Sequence, residues 1–261
     1  MKKNNNYLYI FILFIVVSII LLYILFFRLS CKKKENFANP EITNDNIKIY
    51  VITLRQEQRM INIKNQEKKI KEKIEIMDAV KGDTLNISEL LGSGLLSESY
   101  KDADKIKKRE IGCYMSHMNL YNLIKTNNMQ GYTLILEDDC NFLHDNFMDI
   151  LKESLSKLRN YDFDLLYLGN HNNNHGELVV DNIYKTNNNE HLIGTHCYVV
   201  NNKNIDKIIA STKFIDSPID IKIDYLCKKN EIIVLVIYPI IANQGGSTYS
   251  SIQDLNVPQI N

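Results

Sequence analysis

Short apolar segments that resemble strands alternate with amphipathic segments that resemble helices from residue 47 to residue 238. Residues 47–54 (IKIYVITL) are rich in β-branched and aromatic residues, which favour strands. Residues 132–136 (YTLIL) are apolar at nearly every position, so both faces of that strand are expected to be buried. This alternation predicts an α/β fold with a mainly parallel central sheet flanked by helices.

The same patterns predict the remaining elements of this domain. Further strands are expected at residues 74–80, 163–168, 195–200 and 232–238, and helices at residues 56–73, 110–126, 147–158, 204–211 and 220–229. In sheets of this kind, ligands bind beyond the carboxyl ends of the strands. The residues that follow the strands are therefore the ones expected to form a binding site.

An uninterrupted apolar run precedes the domain. Residues 7–27 contain no charged residue, glycine or proline, and about 20 helical residues suffice to cross the hydrocarbon core of a bilayer. A cleaved signal peptide is the alternative, but its apolar part is usually shorter and is followed by a small-residue cleavage site. We expect a tail at residues 1–6, one transmembrane anchor at residues 7–27, a stalk at residues 28–46 and a globular domain at residues 47–261. Basic residues flank the anchor on both sides, so the side of the membrane that the domain faces stays open.

Charge and cysteine content exclude some classes of protein. Lysine plus arginine equals aspartate plus glutamate at 31 each, so the formal net charge is zero. A nucleic-acid-binding domain usually has a basic excess or stripe, and we therefore expect no nucleic-acid partner. The five cysteines are widely spaced without a C-x-x-C pair, which argues against a zinc knuckle. Mostly buried free thiols are expected, with one or two disulfides as the alternative in an oxidising compartment.

Three acidic residues, Glu137, Asp138 and Asp139, directly follow the apolar strand at residues 132–136. Along an extended chain, Glu137 and Asp139 would lie on one side and Asp138 on the other. Two carboxylates on one side repel each other unless a cation lies between them, and such oxygen ligands suit Mn²⁺ or Mg²⁺. A metal there would neutralise charge on a leaving nucleoside diphosphate. The alternative is a solvated strand end with ordinary acids in a turn.

Eight segments, in order along the chain, resemble glycosyltransferase family 25, which includes bacterial lipooligosaccharide glycosyltransferases and procollagen galactosyltransferases. They are residues 49–54 (IYVITL), 79–82 (AVKG), 110–117 (EIGCYMSH), 134–139 (LILEDD), 163–169 (FDLLYLG), 194–200 (GTHCYVV) and 218–220 (PID), and Gln244 followed by residues 250–252 (SSI). The resemblance implies a GT-A type fold, a divalent cation and inversion at the anomeric carbon. It also implies transfer of a hexose, such as galactose or glucose, from a nucleotide sugar such as a UDP-sugar to a glycan, lipid-linked or protein acceptor.

The resemblance also implies roles for single residues. Glu137 and Asp139 would hold the metal, with His196 as a further ligand through an imidazole nitrogen. Asp220 is the candidate base that removes the proton of the acceptor hydroxyl, and Asp224, one helical turn later, is the reserve candidate. The residues expected on the nucleotide-sugar side are Thr53, Leu54, Arg59, Lys81, Ser116, His117, Asp138 and Gln244.

Several of these residues have a simpler structural interpretation. Asp220 is also typical of an acid at a helix N-terminus, where the helix dipole favours it. His117 and His196 are also compatible with hydrogen-bonded core histidines, and Arg59 with a solvated helix face. Gln244, in a stretch with two glycines, is also compatible with a loop that has no function.

The sequence departs from the family pattern at Thr53, where the family usually has asparagine, and at Lys81, where it usually has aspartate. These departures motivate a second hypothesis, a catalytically inactive, membrane-anchored protein that binds a glycan or a partner through the same fold. A metal-dependent phosphohydrolase is the third hypothesis. It is the weakest, because the additional histidine and aspartate clusters of two-metal sites are missing.

Overall fold

A computed structural model of the chain describes residues 42–43, 46–172 and 174–245. The strands in this part are β1 (Ile47–Thr53), β2 (Glu75–Asp78), β3 (Tyr132–Glu137), β4 (Cys140–Phe142), β5 (Leu165–Tyr167), β6 (Leu178–Val180), β7 (Ile183–Lys185), β8 (Cys197–Asn201), β9 (Val234–Ile237) and β10 (Ala242–Gln244). The α-helices are α1 (Glu57–Ile70), α2 (Ile87–Gly92), α3 (Lys105–Thr126), α4 (Phe147–Lys157), α5 (Ile205–Thr212) and α6 (Ile219–Lys228). Short 3₁₀ helices lie at Gly82–Thr84, Glu98–Tyr100, Leu158–Asn160 and Asn202–Asn204.

Eight strands form one central sheet in the order β2-β1-β3-β8-β5-β9-β7-β6. β1 pairs in parallel with β2 and β3, and β5 pairs in parallel with β9. β8 runs antiparallel to both of its neighbours, and β7 runs antiparallel to β9 and β6. The predicted helix-flanked sheet is confirmed, but the sheet is mixed rather than mainly parallel. All five residues of β8 are buried. Burial on both faces reflects cover by helices and is independent of strand direction, so the apolar pattern did not reveal that β8 is antiparallel.

Each face of the sheet has its own apolar core. Along β3, Leu134 and Leu136 point into the core shared with α1 and α4. Ile135, between them, points into the opposite core, shared with α3, α5 and α6. This division follows from the period of two along a strand. Full burial of each such side chain stabilises the fold by about 1.5–3 kcal/mol, so the two cores hold β3 firmly in the centre of the sheet.

The longer elements match the sequence prediction, and the differences lie at their ends. α3 begins at Lys105, about a turn earlier than expected, because the side chain of Asp104 accepts a hydrogen bond from the backbone N–H of Lys107 at 2.8 Å. Strands β4, β6, β7 and β10 have three residues each and were not predicted. A segment of three residues is too short to show a periodic pattern.

The compact unit of the chain begins at Ile42 rather than at Ile47. Ile42 was assigned to the stalk, but its side chain is buried in the core of α1 and α4. The tail at residues 1–6, the anchor at residues 7–27 and most of the stalk at residues 28–46 lie outside the described residues. Within the described part of the chain, no helix has the length and apolar character that crossing a membrane requires.

Candidate active site

The acidic segment lies at the carboxyl end of β3, in the middle of the sheet. β3 ends at Glu137, and Asp138 and Asp139 form the turn that leads into β4. Because the extended backbone ends at Glu137, the alternation argument does not extend to the two aspartates. Arg59 of α1 reaches both of them: its Nη1 lies 2.9 Å from Oδ2 of Asp139 and its Nε lies 3.6 Å from Oδ1 of Asp138. One buried cation therefore faces both carboxylates of the turn.

A polar stripe on α1 holds this turn in place. The side-chain amide of Asn62 donates to the backbone oxygens of Asp138 and Cys140, at 3.1 Å each. The side chain of Gln66 accepts from the backbone N–H of Phe142 at 2.9 Å. Arg59, Asn62 and Gln66 are three and four residues apart, so they project from one side of the helix. The sequence also allowed Arg59 to lie on a solvated side of α1, but this side of the helix contacts and supports the acidic turn.

The two aspartates have different surroundings. Burial raises the pKa of Asp138, although the Thr53 hydroxyl, Arg59 and the backbone N–H of Leu54 oppose this shift. Asp139 accepts a hydrogen bond at Oδ2 from the side-chain amide of Gln244 at 2.8 Å. Its Oδ1 is buried and has no hydrogen-bond partner among the described residues. A buried carboxylate oxygen without a partner is uncommon and indicates a position that a ligand or ion completes.

Glu137 lies among different side chains from the two aspartates. The Thr195 hydroxyl donates to its Oε1 at 2.6 Å, and Nε2 of His117 lies 3.5 Å from the same oxygen. Burial opposes ionisation of Glu137, but His117 and Thr195 together outweigh it and hold the pKa of this carboxyl below its usual range. Glu137 is therefore a carboxylate at neutral pH. On the other side of the imidazole, Nδ1 of His117 lies 2.7 Å from the Tyr198 hydroxyl.

His196 immediately precedes β8 and is 2% exposed. No hydrogen bond of normal geometry joins its ring nitrogens to the described residues, although the backbone of Ala242 lies close enough to raise its pKa slightly. Burial lowers the pKa of His196 to about 4, with Glu137 opposing the shift and His171 adding to it. The imidazole is therefore neutral at neutral pH, which is the form that binds a metal ion.

The structure places one group of metal-binding side chains within reach of a single ion among the described residues. Ligand atoms of Cys113, His117 and Glu137 all lie within 4.8 Å of one another. Of the predicted metal ligands, only Glu137 belongs to this group, while Asp139 and His196 line the surrounding cleft. Cys113 was not predicted, although its spacing of four residues from His117 puts both on one side of α3.

The cleft has two compartments that meet at Glu137, Cys113 and Gln244. The first lies at the carboxyl ends of β1, β2 and β3, and of the predicted residues it is lined by Thr53, Leu54, Lys81, Ser116, His117, Glu137, Asp138, Asp139 and Gln244. The second, beside the start of α6, is lined by the predicted residues Glu137, His196, Asp220 and Gln244. The structure thus brings most of the predicted site residues to one cleft.

Asp220 is a partly exposed carboxylate in the second compartment. Its Oδ2 accepts from the backbone N–H of Gly194 at 3.1 Å, and its Oδ1 accepts from the backbone N–H of Ile221 at 2.8 Å. These two amides hold the carboxylate in position at the N-terminus of α6. It keeps access to the cleft, which a general base requires.

Asp224 does not reach the cleft. It is buried and accepts from the backbone N–H of Leu192 at 3.0 Å, from Nδ1 of His191 at 2.8 Å and from Nζ of Lys228 at 3.0 Å. Burial alone would raise the pKa of Asp224, but these three partners outweigh it and lower the pKa. The carboxylate of the reserve candidate therefore holds α6 against the segment before β8.

Two other predicted residues have structural contacts of their own. Arg59 is not part of the lining of either compartment and lies behind the acidic turn. The hydroxyl of Ser116 donates to the backbone oxygen of Gly112 at 2.7 Å and accepts from the backbone N–H of Val80 at 2.8 Å. Ser116 thus ties the segment after β2 to α3, at the wall of the first compartment.

Some residues of the cleft were not predicted from the sequence. They include Asp83 and Arg109 in the first compartment, His171 and Thr195 in the second, and Cys113 in both. Nε of Arg109 lies 3.2 Å from Oδ1 of Asp83. Arg109 and Cys113 could have been found from their spacing of eight and four residues before His117, which puts all three on one side of a helix.

Known proteins resemble parts of this chain. The sequence profile of glycosyltransferase family 25 (LPS biosynthesis protein) matches residues 46–226. Procollagen galactosyltransferase 1 of Danio rerio is 32% identical over 101 residues, which are 36% of this chain and 16% of that protein. Procollagen galactosyltransferase 1-B of Xenopus laevis is 29% identical over 128 residues, which are 46% of this chain and 21% of that protein. The chain therefore matches only a minor part of the length of these relatives.

Among solved structures, apo UDP-glucose pyrophosphorylase resembles the chain at a TM-score of 0.38 and 10% identity, over 73% of this chain and 90% of that one. A similarity of this size does not establish a shared fold. The profile match is of a different kind, because it extends from the segment before β1 into α6 and includes the acidic turn and Asp220. The chain belongs to glycosyltransferase family 25.

Proposed function

We propose that this protein is a membrane-anchored, inverting glycosyltransferase that moves a hexose from a nucleotide sugar to a glycan, lipid-linked or protein acceptor. The observation that carries the proposal is the two-compartment cleft. One compartment has cationic side chains in its wall, the other has a partly exposed carboxylate, and Glu137 lies where they meet. A transferase needs such a division, because donor and acceptor must lie side by side with the reacting atoms between them.

The first compartment suits a nucleotide-sugar donor. It lies beyond the carboxyl ends of parallel strands, where α/β sheets bind nucleotides, and Lys81 and Arg109 are in its wall. Cationic side chains of this kind bind phosphate oxygens. Lys81, where the family usually has aspartate, thus adds a positive charge where a diphosphate would lie. The names of the relatives favour galactose as the hexose, and UDP is the expected nucleotide.

The cleft also has side chains that suit a divalent cation, as in a GT-A type site. Glu137 is ionised, Oδ1 of Asp139 has no hydrogen-bond partner among the described residues, and His196 is a neutral, buried imidazole. These three residues would hold Mn²⁺ or Mg²⁺ if Asp139 and His196 move towards Glu137, because the three ligand atoms are not within 4.8 Å of one another. The ion would supply positive charge to the leaving diphosphate. Arg59 and Gln244 would hold Asp139 in position from the other carboxylate oxygen.

Asp220 is the proposed base. Its carboxylate accepts the proton of the acceptor hydroxyl as the hydroxyl oxygen attacks the anomeric carbon of the donor. The bond from that carbon to the diphosphate oxygen breaks on the opposite side, and a single displacement of this kind inverts the configuration. The amides of Gly194 and Ile221 hold the carboxylate towards the acceptor. The anchor proposed at residues 7–27 would keep the cleft close to acceptors at a membrane.

Donor binding tests the proposal directly. The full chain in detergent micelles would be titrated with UDP-galactose, UDP-glucose and other nucleotide sugars, with Mn²⁺ or with a chelator, and its melting temperature measured. A ligand that binds only the folded state stabilises it by about 2.7 kcal/mol when the free ligand concentration is 100 times its Kd, and this raises the melting temperature. We expect stabilisation by one donor with Mn²⁺, its loss in Asp139→Asn, and release of UDP when an acceptor is added.

The same experiment separates the proposal from its main alternative. A folded protein that no nucleotide sugar stabilises, with or without metal, would contradict the transferase and favour an inactive protein that binds a glycan or partner. Thr53 and Lys81 would then be the residues to restore first, as Thr53→Asn and Lys81→Asp. Lys81→Ala in the unchanged background should weaken donor binding without altering the melting temperature of the free protein, because Lys81 is exposed.

A further inference from the structure

We propose that Cys113, His117 and Glu137 form a binding site for Zn²⁺ that differs from the Mn²⁺ or Mg²⁺ site described above and shares Glu137 with it. One ligand atom of each residue lies within 4.8 Å of the other two. All three side chains line the first compartment; Cys113 and Glu137 are partly exposed there, and the fully buried His117 lies behind them.

The backbone already brings these ligands together. Cys113 and His117 are four residues apart on α3, so they project from the same side of the helix. Glu137 faces them from the end of β3. Zn²⁺ binds sulfur, nitrogen and oxygen ligands at about 2.0–2.3 Å, so its ligand atoms are about 3–4 Å apart. The His117–Glu137 separation of 3.5 Å already lies in that range, and the other separations are at most 4.8 Å.

The surroundings of His117 allow it to become a metal ligand. The residue is fully buried, and its Nε2, which lies 3.5 Å from Oε1 of Glu137, has no hydrogen-bond partner among the described residues. Its Nδ1 lies 2.7 Å from the Tyr198 hydroxyl, which in turn lies 2.7 Å from the Tyr121 hydroxyl. Without an ion, a proton on Nε2 faces Glu137; when an ion binds, that proton leaves Nε2, a proton on Nδ1 is donated to the Tyr198 hydroxyl, and the lone pair of Nε2 is free for the ion. Support of this kind behind a histidine ligand orients the ring and fixes its tautomer.

The ligand set favours Zn²⁺ over harder ions. Thiolate and imidazole ligands suit Zn²⁺, whereas Mg²⁺ and Mn²⁺ prefer oxygen. As the Zn–S bond forms, the thiol proton of Cys113 passes to solvent. One thiolate and one carboxylate then neutralise the two positive charges of the ion. Thr195, which donates to Oε1 of Glu137 at 2.6 Å, holds the third ligand. These three ligands leave a fourth tetrahedral position for water.

Sharing of Glu137 has a consequence that rests on the proposed transferase function. A carboxylate bound to Zn²⁺ beside Cys113 is withdrawn from the site formed with Asp139 and His196. Zn²⁺ should therefore compete with Mn²⁺ and reduce donor binding, even though both are divalent cations. Cys113→Ser should make the protein less sensitive to this competition.

Co²⁺ titration of the full chain in detergent micelles tests the site independently of activity, because Co²⁺ bound to a thiolate gives a charge-transfer band in the near ultraviolet. We expect this band to saturate at one equivalent of Co²⁺ and to disappear when Zn²⁺ is added. Cys113→Ser should abolish the band, and His117→Gln should weaken Co²⁺ binding by 10-fold or more. Cys227→Ser is the matched control, since Cys227 is a partly buried cysteine that contacts Thr186 instead, and it should leave the band unchanged.

The outcomes separate this proposal from the transferase proposal. If the wild-type protein gives no thiolate band, or if Cys113→Ser retains it, the Zn²⁺ site is wrong, whatever the donor titration shows. If the band behaves as expected but no nucleotide sugar binds, the Zn²⁺ site stands and the transferase proposal fails. Thr195→Val adds a test that keeps all three ligands, and its expected effect is a Zn²⁺ affinity about 10-fold lower.

Discussion

Replacement of Arg59 by methionine should destabilise the protein by about 3 kcal/mol at pH 7. Methionine keeps much of the apolar volume of arginine but removes the guanidinium that faces Asp138 and Asp139. The three side chains are only 9%, 13% and 9% exposed, so water cannot take over the role of the guanidinium. Removal of one partner of a buried ion pair costs about 3–5 kcal/mol. We expect the lower end, because the Thr53 hydroxyl and Gln244 still donate to the two carboxylates.

The loss should depend on pH in a defined direction. Burial already raises the pKa of Asp138 and the guanidinium of Arg59 opposes this shift, so without the guanidinium the pKa of Asp138 in the folded state should rise further. A carboxyl with a raised pKa destabilises the fold when it is ionised and stops doing so when it is protonated. The difference in free energy of unfolding between wild type and Arg59→Met should therefore be largest at pH 7 and smaller at pH 5. Urea unfolding of the full chain, followed by far-ultraviolet circular dichroism at both values, measures it.

Arg55→Met is the matched control for this substitution. Arg55 pairs with Asp78, but the two side chains are 52% and 71% exposed, and exposed ion pairs contribute little to stability. The control should therefore unfold almost like the wild type. A loss below about 1 kcal/mol for Arg59→Met, or a loss that is the same at pH 7 and pH 5, would show that the acidic turn is solvated and would refute the reasoning.

Three further predictions concern single positions. Gly82→Ala should destabilise the fold by about 1–3 kcal/mol, because the new Cβ would lie 2.3 Å from a backbone oxygen of α3. Gly92→Ala is the control and should leave the stability nearly unchanged, because the new Cβ would have no neighbouring atom within 4 Å. Thermal unfolding compares the two variants. Asp224→Asn should lower the melting temperature and leave turnover nearly unchanged, whereas Asp220→Asn should reduce turnover by about 100-fold or more and leave the melting temperature nearly unchanged. Acidification from pH 7 to pH 5 should lower the free energy of unfolding by about 2 kcal/mol through His196 alone. Its pKa of about 4 in the folded protein lies below the usual value of about 6.5, so the unfolded chain takes up a proton that the folded chain does not. The stability is unaffected by protonation of His196 above about pH 6.5, and the contribution of His196 is lost as the pH falls towards 4. In His196→Gln, the part of the difference in unfolding free energy between pH 7 and pH 5 that comes from His196 should disappear, as measured by urea unfolding at the two pH values.

The parts of the fold that local patterns specify could be predicted from the sequence. β1, β3 and most of α3 were placed within a few residues, because composition and periodicity are properties of each segment by itself. The position of the acidic residues at the end of β3 followed from the same argument. The direction of β8 could not be predicted, since a strand buried on both faces has the same composition whichever way it runs.

The site was harder to predict where it depends on contacts between distant segments. Arg59 is charged and lies on an amphipathic helix, so the sequence left open whether it meets solvent, phosphate or the aspartates. Asp220 and Asp224 are one turn apart on α6, yet one lines the cleft and the other binds His191 and Lys228. Which side of a short helix faces the cleft is decided by packing, and no pattern within ten residues specifies it.

The antiparallel strand β8 also limits how the cleft can move. β8 hydrogen-bonds to β3 on one side and to β5 on the other, so the strands that support the two compartments form one uninterrupted ladder. A hinge that rotates one half of the protein against the other would have to break this ladder, and the fold therefore has no inexpensive domain closure. In the proposed transferase, substrate entry and product release would then depend on connecting segments in the wall of the cleft, such as residues 79–83. The rate at which those segments rearrange, rather than a swing of domains, would set the limit on turnover.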